Sequence, residues 1–205
     1  TLTSAARLFI VSDDDPTGSD LGTYVQTASS VLAAKNIPNS SPLTIVYGRE
    51  SAAQAGDIVI KTDSSATGHR GGYVLDISAG GISITADDAE GVLYALTTLA
   101  QTCTSGTVLK CTTVTDWPDV AERSVYLDCG RIYFAPATLK ALIRTMAWNR
   151  MNVLYLDFSN NNATRFLLDD MDVTVGGRTY DITTAAPSDG YLTQSDMDAI
   201  IDEAN

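Results

Sequence analysis

Histidine is almost missing from this 205-residue chain, where His69 stands alone. Cysteine is nearly as scarce, at Cys103, Cys111 and Cys129. No Cys/His set has the spacing of metal ligands, which argues against a zinc site. The same scarcity argues against a Ser-His-Asp triad built wholly from these residues. Basic side chains are few as well. Thirteen Lys plus Arg face 25 Asp plus Glu, for a net charge of −12. So acidic a chain, with no offsetting basic stripe, repels phosphate backbones, and nucleic acid is not an expected partner. Anionic membrane surfaces are disfavoured for the same reason. No apolar run is long enough to cross a bilayer, so membrane insertion is not expected. No signal-peptide pattern is visible, and an exported form would have had one removed.

What is present is ordinary globular composition, 44% hydrophobic and 19% charged. The length suits one large domain or two small ones. A neutral substrate fits the charge balance best. Abundant Thr, Ser, Asp and Gly with few Lys are compatible with a secreted microbial protein. Cys103 and Cys111 flank the turn Thr104-Ser105-Gly106. A bridge between them in an oxidising compartment and two free thiols are equally consistent with that spacing. Cys129 reads as a small core residue rather than a nucleophile.

The first half alternates strand and helix signals. Arg7 to Ser12 is an apolar, β-rich run followed by the cluster DDDPTGSD. Its three adjacent Asp lack the alternation and terminal Glu of a calcium loop, and the cluster reads as a solvated turn capping the next helix. Asp20 to Lys35 has helical periodicity, with Leu21, Val25, Ala28, Val31 and Leu32 on one face, and Asn36 and Pro38 end it. Leu43 to Gly48 and Asp57 to Asp63 are further strands. Two alternating runs around Ala79-Gly80-Gly81 form a hairpin signal. Ala89 to Cys103 then carries Val92, Leu93, Leu96, Leu99 and Ala100 on a helical stripe. This order predicts an open α/β sandwich over residues 1–118.

After Trp117-Pro118 the pattern changes. The run RSVYLDCGRIYF, Arg123 to Phe134, reads as a buried strand, yet it carries Asp128 and Arg131. Buried charges are costly unless paired or facing a cavity. A helix follows from about Ala135 to Asn149, with Pro136 in its first turn and Leu139, Leu142, Ile143 and Met146 inward. Met151 to Phe158 reads as a second buried strand. A polar excursion runs from Ser159 to Gly190, and Thr193 or Ser195 can cap a closing helix. Strand, helix, strand, loop, helix is the opening of a parallel β/α array over residues 119–205. Two such units cannot close a barrel that takes eight.

DWPDVAERSVYLDCGRIYFAPATLKALIRTMAWNRMNVLYLDFSNN resembles the opening of the catalytic barrel of glycoside hydrolase family 20, the β-N-acetylhexosaminidases and lacto-N-biosidases. Asp116, Pro118, Arg123, Asp128, Arg131, Asn149, Arg150, Met151 and Asn152 fall into the places of that family's pattern. GGYVLDISAGGISITADDAEGVLYALTTLAQ is similar to its preceding non-catalytic α/β domain, and YLTQSDMDAII resembles the start of its second barrel helix. The fold implied is an α/β auxiliary domain followed by the first two β/α units of an incomplete TIM barrel.

The resemblance implies a glycan substrate ending in N-acetylhexosamine, no cofactor and no metal. It also implies a retaining mechanism in which the sugar's own acetamido oxygen attacks the anomeric carbon. Arg131 is implied to donate to hydroxyls of that terminal sugar, its planar fork suiting vicinal oxygens. The alternative is a structural ion pair with Asp128 or a neighbour. Asp128 is expected on the other side of the strand or at the barrel base, supporting neighbouring backbone or an arginine. Asp157 is a candidate polar rim residue, and Arg165 matches an arginine that follows the family's second strand. Tyr155 and Asp157 stand where the family carries His, and Asn160 and Asn161 where it carries acids. The family's catalytic pair lies in a His-x-Gly-Gly-Asp-Glu stretch, which these residues do not contain. No catalytic residue is therefore expected within the chain, which by itself should be inactive, with the rest of the barrel as its partner in a parent protein. Expected location is secreted or cell-surface, in a bacterium. A catalytically inactive carbohydrate-binding or scaffold protein of the same build, and an unrelated α/β interaction module, are the rival readings.

Overall fold

The computed structural model describes residues 2, 5–12, 20–35, 37–38, 40–103, 108–160, 163–167, 172–180 and 187–204. The DDDPTGSD turn, Asn36 and Asn161 lie wholly or mostly outside that set. The chain forms two compact units, Thr1–Asp119 and Val120–Asn205. No helix among the described residues is long and apolar enough to cross a membrane.

In the first unit, β1 (Arg7–Val11), β2 (Thr44–Gly48), β3 (Ile58–Thr62), β4 (Tyr73–Ser78), β5 (Gly81–Ala86) and β6 (Thr112–Asp116) make one mixed sheet. The strand order is β2-β1-β3-β5-β4-β6. β1, β2, β3 and β5 run parallel, while β4 is antiparallel to both of its neighbours. The β4–β5 hairpin closes with Ser78 paired to Gly81, leaving Ala79 and Gly80 as its two-residue turn. Helices α1 (Asp20–Ala34) and α2 (Ala89–Thr102) pack on each other, and α2 also packs on β3, β4 and β5.

The period of two along each strand aligns apolar side chains across the sheet. Ile10, Ile60, Ile84 and Leu75 form one row through successive register pairs, and all four are buried. Each contributes about 1.5–3 kcal/mol by leaving water. Asp88 caps α2, accepting hydrogen bonds from the Gly91 N–H at 2.8 Å and the Gly71 N–H at 2.9 Å. All three cysteines are free, so the open question over Cys103 and Cys111 resolves to unbridged thiols.

In the second unit, β7 (Ser124–Asp128) and β8 (Val153–Asp157) pair in parallel, with Asp128 opposite Asp157. Between them lies α3 (Pro136–Trp148), with proline at its start. α4 (Gln194–Ala204) follows and packs against α3. Of the two candidate caps, Thr193 takes the role. Its hydroxyl accepts from the Asp196 N–H, and the Asp196 carboxylate accepts from the Thr193 N–H at 2.9 Å. Arg144 of α3 donates two hydrogen bonds to Glu203 of α4, at 2.7 and 2.8 Å.

Two expectations about these strands are corrected. The run from Arg123 to Phe134 is not one strand, because β7 ends at Asp128 and the Gly130 N–H turns across to the Asp157 carbonyl. Neither strand is buried on both faces. Leu127 and Leu156 pack with Leu139, Leu192 and Ile200 beneath α3 and α4. Tyr126 and Tyr155 lie on the opposite face and are 63% and 49% exposed. Among the described residues, helices cover only one side of this strand pair.

The start of β1 is tied to the approach to β3 by an ion pair. Arg7 donates through Nε and Nη2 to the two oxygens of buried Asp57, at 2.7 and 2.6 Å, and the Gln54 N–H donates to the same carboxylate. These hydrogen bonds, led by those of Arg7, hold the Asp57 carboxyl below the usual carboxylate range. Its stabilising effect is therefore complete above the unfolded value of about 4 and is lost as pH falls through the lower folded value. Asp57→Asn should lower the urea midpoint at neutral pH and flatten the acid side of the stability curve. An acid limb identical to that of the parent protein would remove Asp57 from this role.

Candidate functional site

In a parallel β/α array, side chains at the C-terminal ends of strands are placed for chemistry. Alternation puts Tyr126 and Asp128 on the same face of β7, and Tyr155 and Asp157 on the same face of β8, away from the helices. The register brings the two aspartates side by side. Two neighbouring carboxylates repel, and each is held by its own donors.

Asp128 accepts through Oδ2 from Arg131 Nε at 2.8 Å. Its Oδ1 accepts from the Arg131 N–H at 3.1 Å and from Asn160 Nδ2 at 2.9 Å. The Arg131 side chain remains 67% exposed. The structural ion pair that the sequence offered is present: Arg131 is paired to Asp128, and the pair uses only Nε of its guanidinium among the described contacts. Asp128 does not sit on the far side of its strand or at the barrel base, because the tight turn after β7 folds Arg131 back onto it. An exposed pair of this kind contributes little stability by itself.

Asp157 accepts from the Tyr126 hydroxyl at 2.7 Å and, more weakly, from the Ser159 N–H at 3.3 Å. That hydrogen bond to a carboxylate raises the Tyr126 phenol above its ordinary range. Tyr155 donates to Glu122 at 3.0 Å, with the same effect on its own phenol. Cys129 lies buried beneath this cluster, and burial followed by the Asp128 and Asp157 charges pushes its thiol up. A protonated, enclosed thiol is a core residue, as its sequence context predicts.

Other residues of the family pattern serve the opposite end of the strands. The Arg123 guanidinium donates to the carbonyls of Arg150 and Val120, both at 2.6 Å, and Asn152 Oδ1 accepts from the Arg123 N–H. These contacts fasten the turn before β8 to the segment before β7.

Arg165 has a structural task. It is 5% exposed and forks onto Asp189, with Nη1 at 2.7 Å and Nη2 at 3.1 Å, while Nη1 also donates to the Gly190 carbonyl. The backbone repeats the connection, since the Leu192 N–H donates to the Arg165 carbonyl and the Leu167 N–H to the Leu192 carbonyl. The two ends of the long excursion are thereby clamped together. Beside the clamp, Gly190 has φ +129° and a Cβ there would stand 2.6 Å from the Tyr133 ring. The excursion also carries the short hairpin of β9 (Val173–Val175) and β10 (Arg178–Tyr180).

Sequence reasoning missed Tyr126, the Asn160 contact to Asp128, and the Arg165–Asp189 clamp. Tyr126 was within reach, because the period of two places it on the face of Asp128. The other two depend on partners 32 and 24 residues away, and no local pattern announces them.

Residues 8–117 match the pattern of glycosyl hydrolase family 20, domain 2, and residues 121–205 match that of the glycosyl hydrolase family 20 catalytic domain. The chain belongs to glycosyl hydrolase family 20. It is 34% identical over 97 residues to a β-N-acetylhexosaminidase of Cellulomonas fimi, an alignment covering 45% of this chain and 20% of that protein. Its fold is similar to the β-N-acetylhexosaminidase of Bacteroides fragilis, with TM-score 0.71, 22% identity, and coverage of 97% of this chain and 38% of that one. It is also similar to the family 20 β-N-acetylhexosaminidase of Streptomyces coelicolor, with TM-score 0.67, 23% identity, and coverage of 98% and 40%. The chain thus spans well under half the length of these relatives. The match places β7 and β8 within the family's catalytic domain, and the two units form the α/β sheet and incomplete barrel expected of it.

Replacing Gly190 by Ala should cost about 1–3 kcal/mol, from a side chain in the left-handed region and from the clash with Tyr133. Urea denaturation measures this, and an unchanged midpoint would show that the Tyr133 contact is not tight.

Proposed function

We propose that the protein to which this chain belongs is a glycosidase that releases N-acetylhexosamine, or a disaccharide ending in it, from the non-reducing ends of glycans. Arg131 carries the proposal. It sits just past the C-terminal end of β7 within the catalytic-domain match, and it is anchored to Asp128 through Nε. Neither terminal nitrogen of the guanidinium hydrogen-bonds to another of the described residues, so both can donate to vicinal sugar hydroxyls. Asp157, fixed by Tyr126, offers an acceptor on the same face. Asp128 supports Arg131 rather than touching the sugar.

The mechanism in this reading is retaining and substrate-assisted. The acetamido oxygen attacks the anomeric carbon, a Glu protonates the leaving oxygen and later deprotonates water, and an Asp steadies the acetamido group. The Asp-Glu pair is drawn from outside these residues, so the 205 residues alone should not turn over substrate. The fold match to β-N-acetylhexosaminidases and the resemblance around Arg131 support this reading, as does the charge balance, which favours a neutral sugar over an anionic ligand. Secretion or display at the cell surface suits a substrate found on extracellular glycans.

Tyr155, Asp157 and Asn160 stand where the resemblance places His and acid, which favours altered specificity or lost activity. The full-length protein, assayed on aryl N-acetyl-β-glucosaminide and on a lacto-N-bioside, should turn over one of the two. A folded protein that cleaves neither would leave the carbohydrate-binding reading instead. Arg131→Ala should lower kcat/KM by about 10²- to 10⁴-fold, as expected for two charge-assisted hydrogen bonds that tighten in the transition state. An almost unchanged value would return Arg131 to a purely structural pair.

A further inference from the structure

We infer that Asn160 is a positioning residue for Arg131, acting through Asp128. The inference rests on the reading of Arg131 as a sugar contact and adds a residue to it. A carboxylate held through one oxygen turns freely about its terminal torsion, because that torsion has a broad, shallow profile. Arg131 Nε on one oxygen and the Arg131 N–H on the other both come from the same turn, so without a donor from elsewhere the carboxylate and the guanidinium can shift together. Asn160 Nδ2 holds the other oxygen at 2.9 Å, together with the Arg131 N–H at 3.1 Å. This donor, 32 residues away in the chain, ties the carboxylate to the segment after β8 and so sets its plane, and with it the direction in which the terminal nitrogens of Arg131 point.

A second observation supports this independently. Gly130 is buried, and a Cβ built on it would lie 2.6 Å from Asn160 Nδ2 and 2.8 Å from Asn160 Cγ. Its backbone is not in the left-handed region, so the need for glycine here is one of space. The chain leaves out a side chain at 130, and the Asn160 amide fills the room. Asn160 is itself placed by its N–H, which donates to the Ala163 carbonyl at 3.1 Å.

The chemistry of the amide matters as much as its position. The charged and titratable groups around Asp128 are Tyr126 on its own strand, Cys129 and Arg131 on the turn that follows, Asp157 on the neighbouring strand, and Arg165, whose charge is felt at Cys129. Asp157 already supplies one carboxylate beside Asp128. An acid at 160 would bring another to hydrogen-bond distance, where two carboxylates cannot both ionise without cost. One would keep a proton, and the orientation of Arg131 would then follow pH. The amide donates in every protonation state and keeps Asp128 paired to Arg131 across the neutral range.

The test compares the parent protein with Asn160→Ala, Asn160→Asp, Gly130→Ala and Arg131→Ala, each first checked for native circular dichroism. One readout is the Arg131 Nε–H resonance in 15N-arginine-labelled protein, assigned by its disappearance in Arg131→Ala. The other is affinity for N-acetylglucosamine. In the parent the Nε–H should exchange slowly, and its protection relative to free arginine at the same pH should stay constant from pH 6 to 8. Asn160→Ala and Gly130→Ala should both speed its exchange and weaken affinity about tenfold, the loss of roughly one hydrogen bond to a charged group. Asn160→Asp should make both readouts pH-dependent, approaching parent values as the solution is acidified and the facing pair takes up its proton. Unchanged exchange and affinity in folded Asn160→Ala and Asn160→Asp would overturn the role of Asn160. Unchanged affinity in Arg131→Ala would instead overturn the sugar-binding reading, and the Nε–H exchange would still report whether Asn160 orients the guanidinium.

Discussion

A pair of parallel strands joined by helices buries the side chains that face those helices and frees the ones that do not. In β7 and β8 that division fixes which residues are available for chemistry. Leu127 and Leu156 anchor the pair to α3 and α4, so Tyr126, Asp128, Tyr155 and Asp157 must all lie on the other side. The parallel register then sets Asp128 beside Asp157. The hydrogen bonds of the site follow from the need to hold two adjacent carboxylates apart in role. One is committed to Arg131 and Asn160, the other to Tyr126.

The same logic divides the arginines. Arg123 fastens backbone at the N-terminal end of the strands, and Arg165 clamps the two ends of the excursion. Arg123 spends Nη1, and Arg165 both terminal nitrogens, on protein acceptors. Arg131 spends Nε on Asp128 and is the most exposed of the arginines around the strand pair whose ion pairs are described. In the proposed function, a guanidinium at the mouth of this strand pair, steadied by its partner through Nε alone, is the group that would grip sugar hydroxyls. That is also why Asp128 lies beside Arg131 and not across the strand.

Much of this architecture was legible in the sequence because it is written locally. The period-2 runs mark the strands of the first unit. Ala79-Gly80 marks the hairpin, Pro136 the start of α3, and Thr193 with Asp196 the start of α4. The residues of the family pattern lead to Arg131 and Asp128. What was not legible depends on distance or on coverage. The exposure of Tyr126 and Tyr155 depends on which face the helices cover, and apolar runs look alike whether one face is buried or two. The Arg165–Asp189 clamp joins residues across an excursion of no regular pattern, and the Asn160–Asp128 contact is made only once β7 and β8 lie side by side. Gly130 gave no turn signal because its purpose is space for Asn160, not an unusual backbone angle.

The most direct test of the central claim is a crystal structure of the protein with N-acetylglucosamine bound. The sugar is expected beyond the C-terminal ends of β7 and β8, with its ring hydroxyls within hydrogen-bond distance of the terminal nitrogens of Arg131, while Nε stays on Asp128. A sugar bound elsewhere, or bound there with the Arg131 guanidinium turned away from it, would contradict the account.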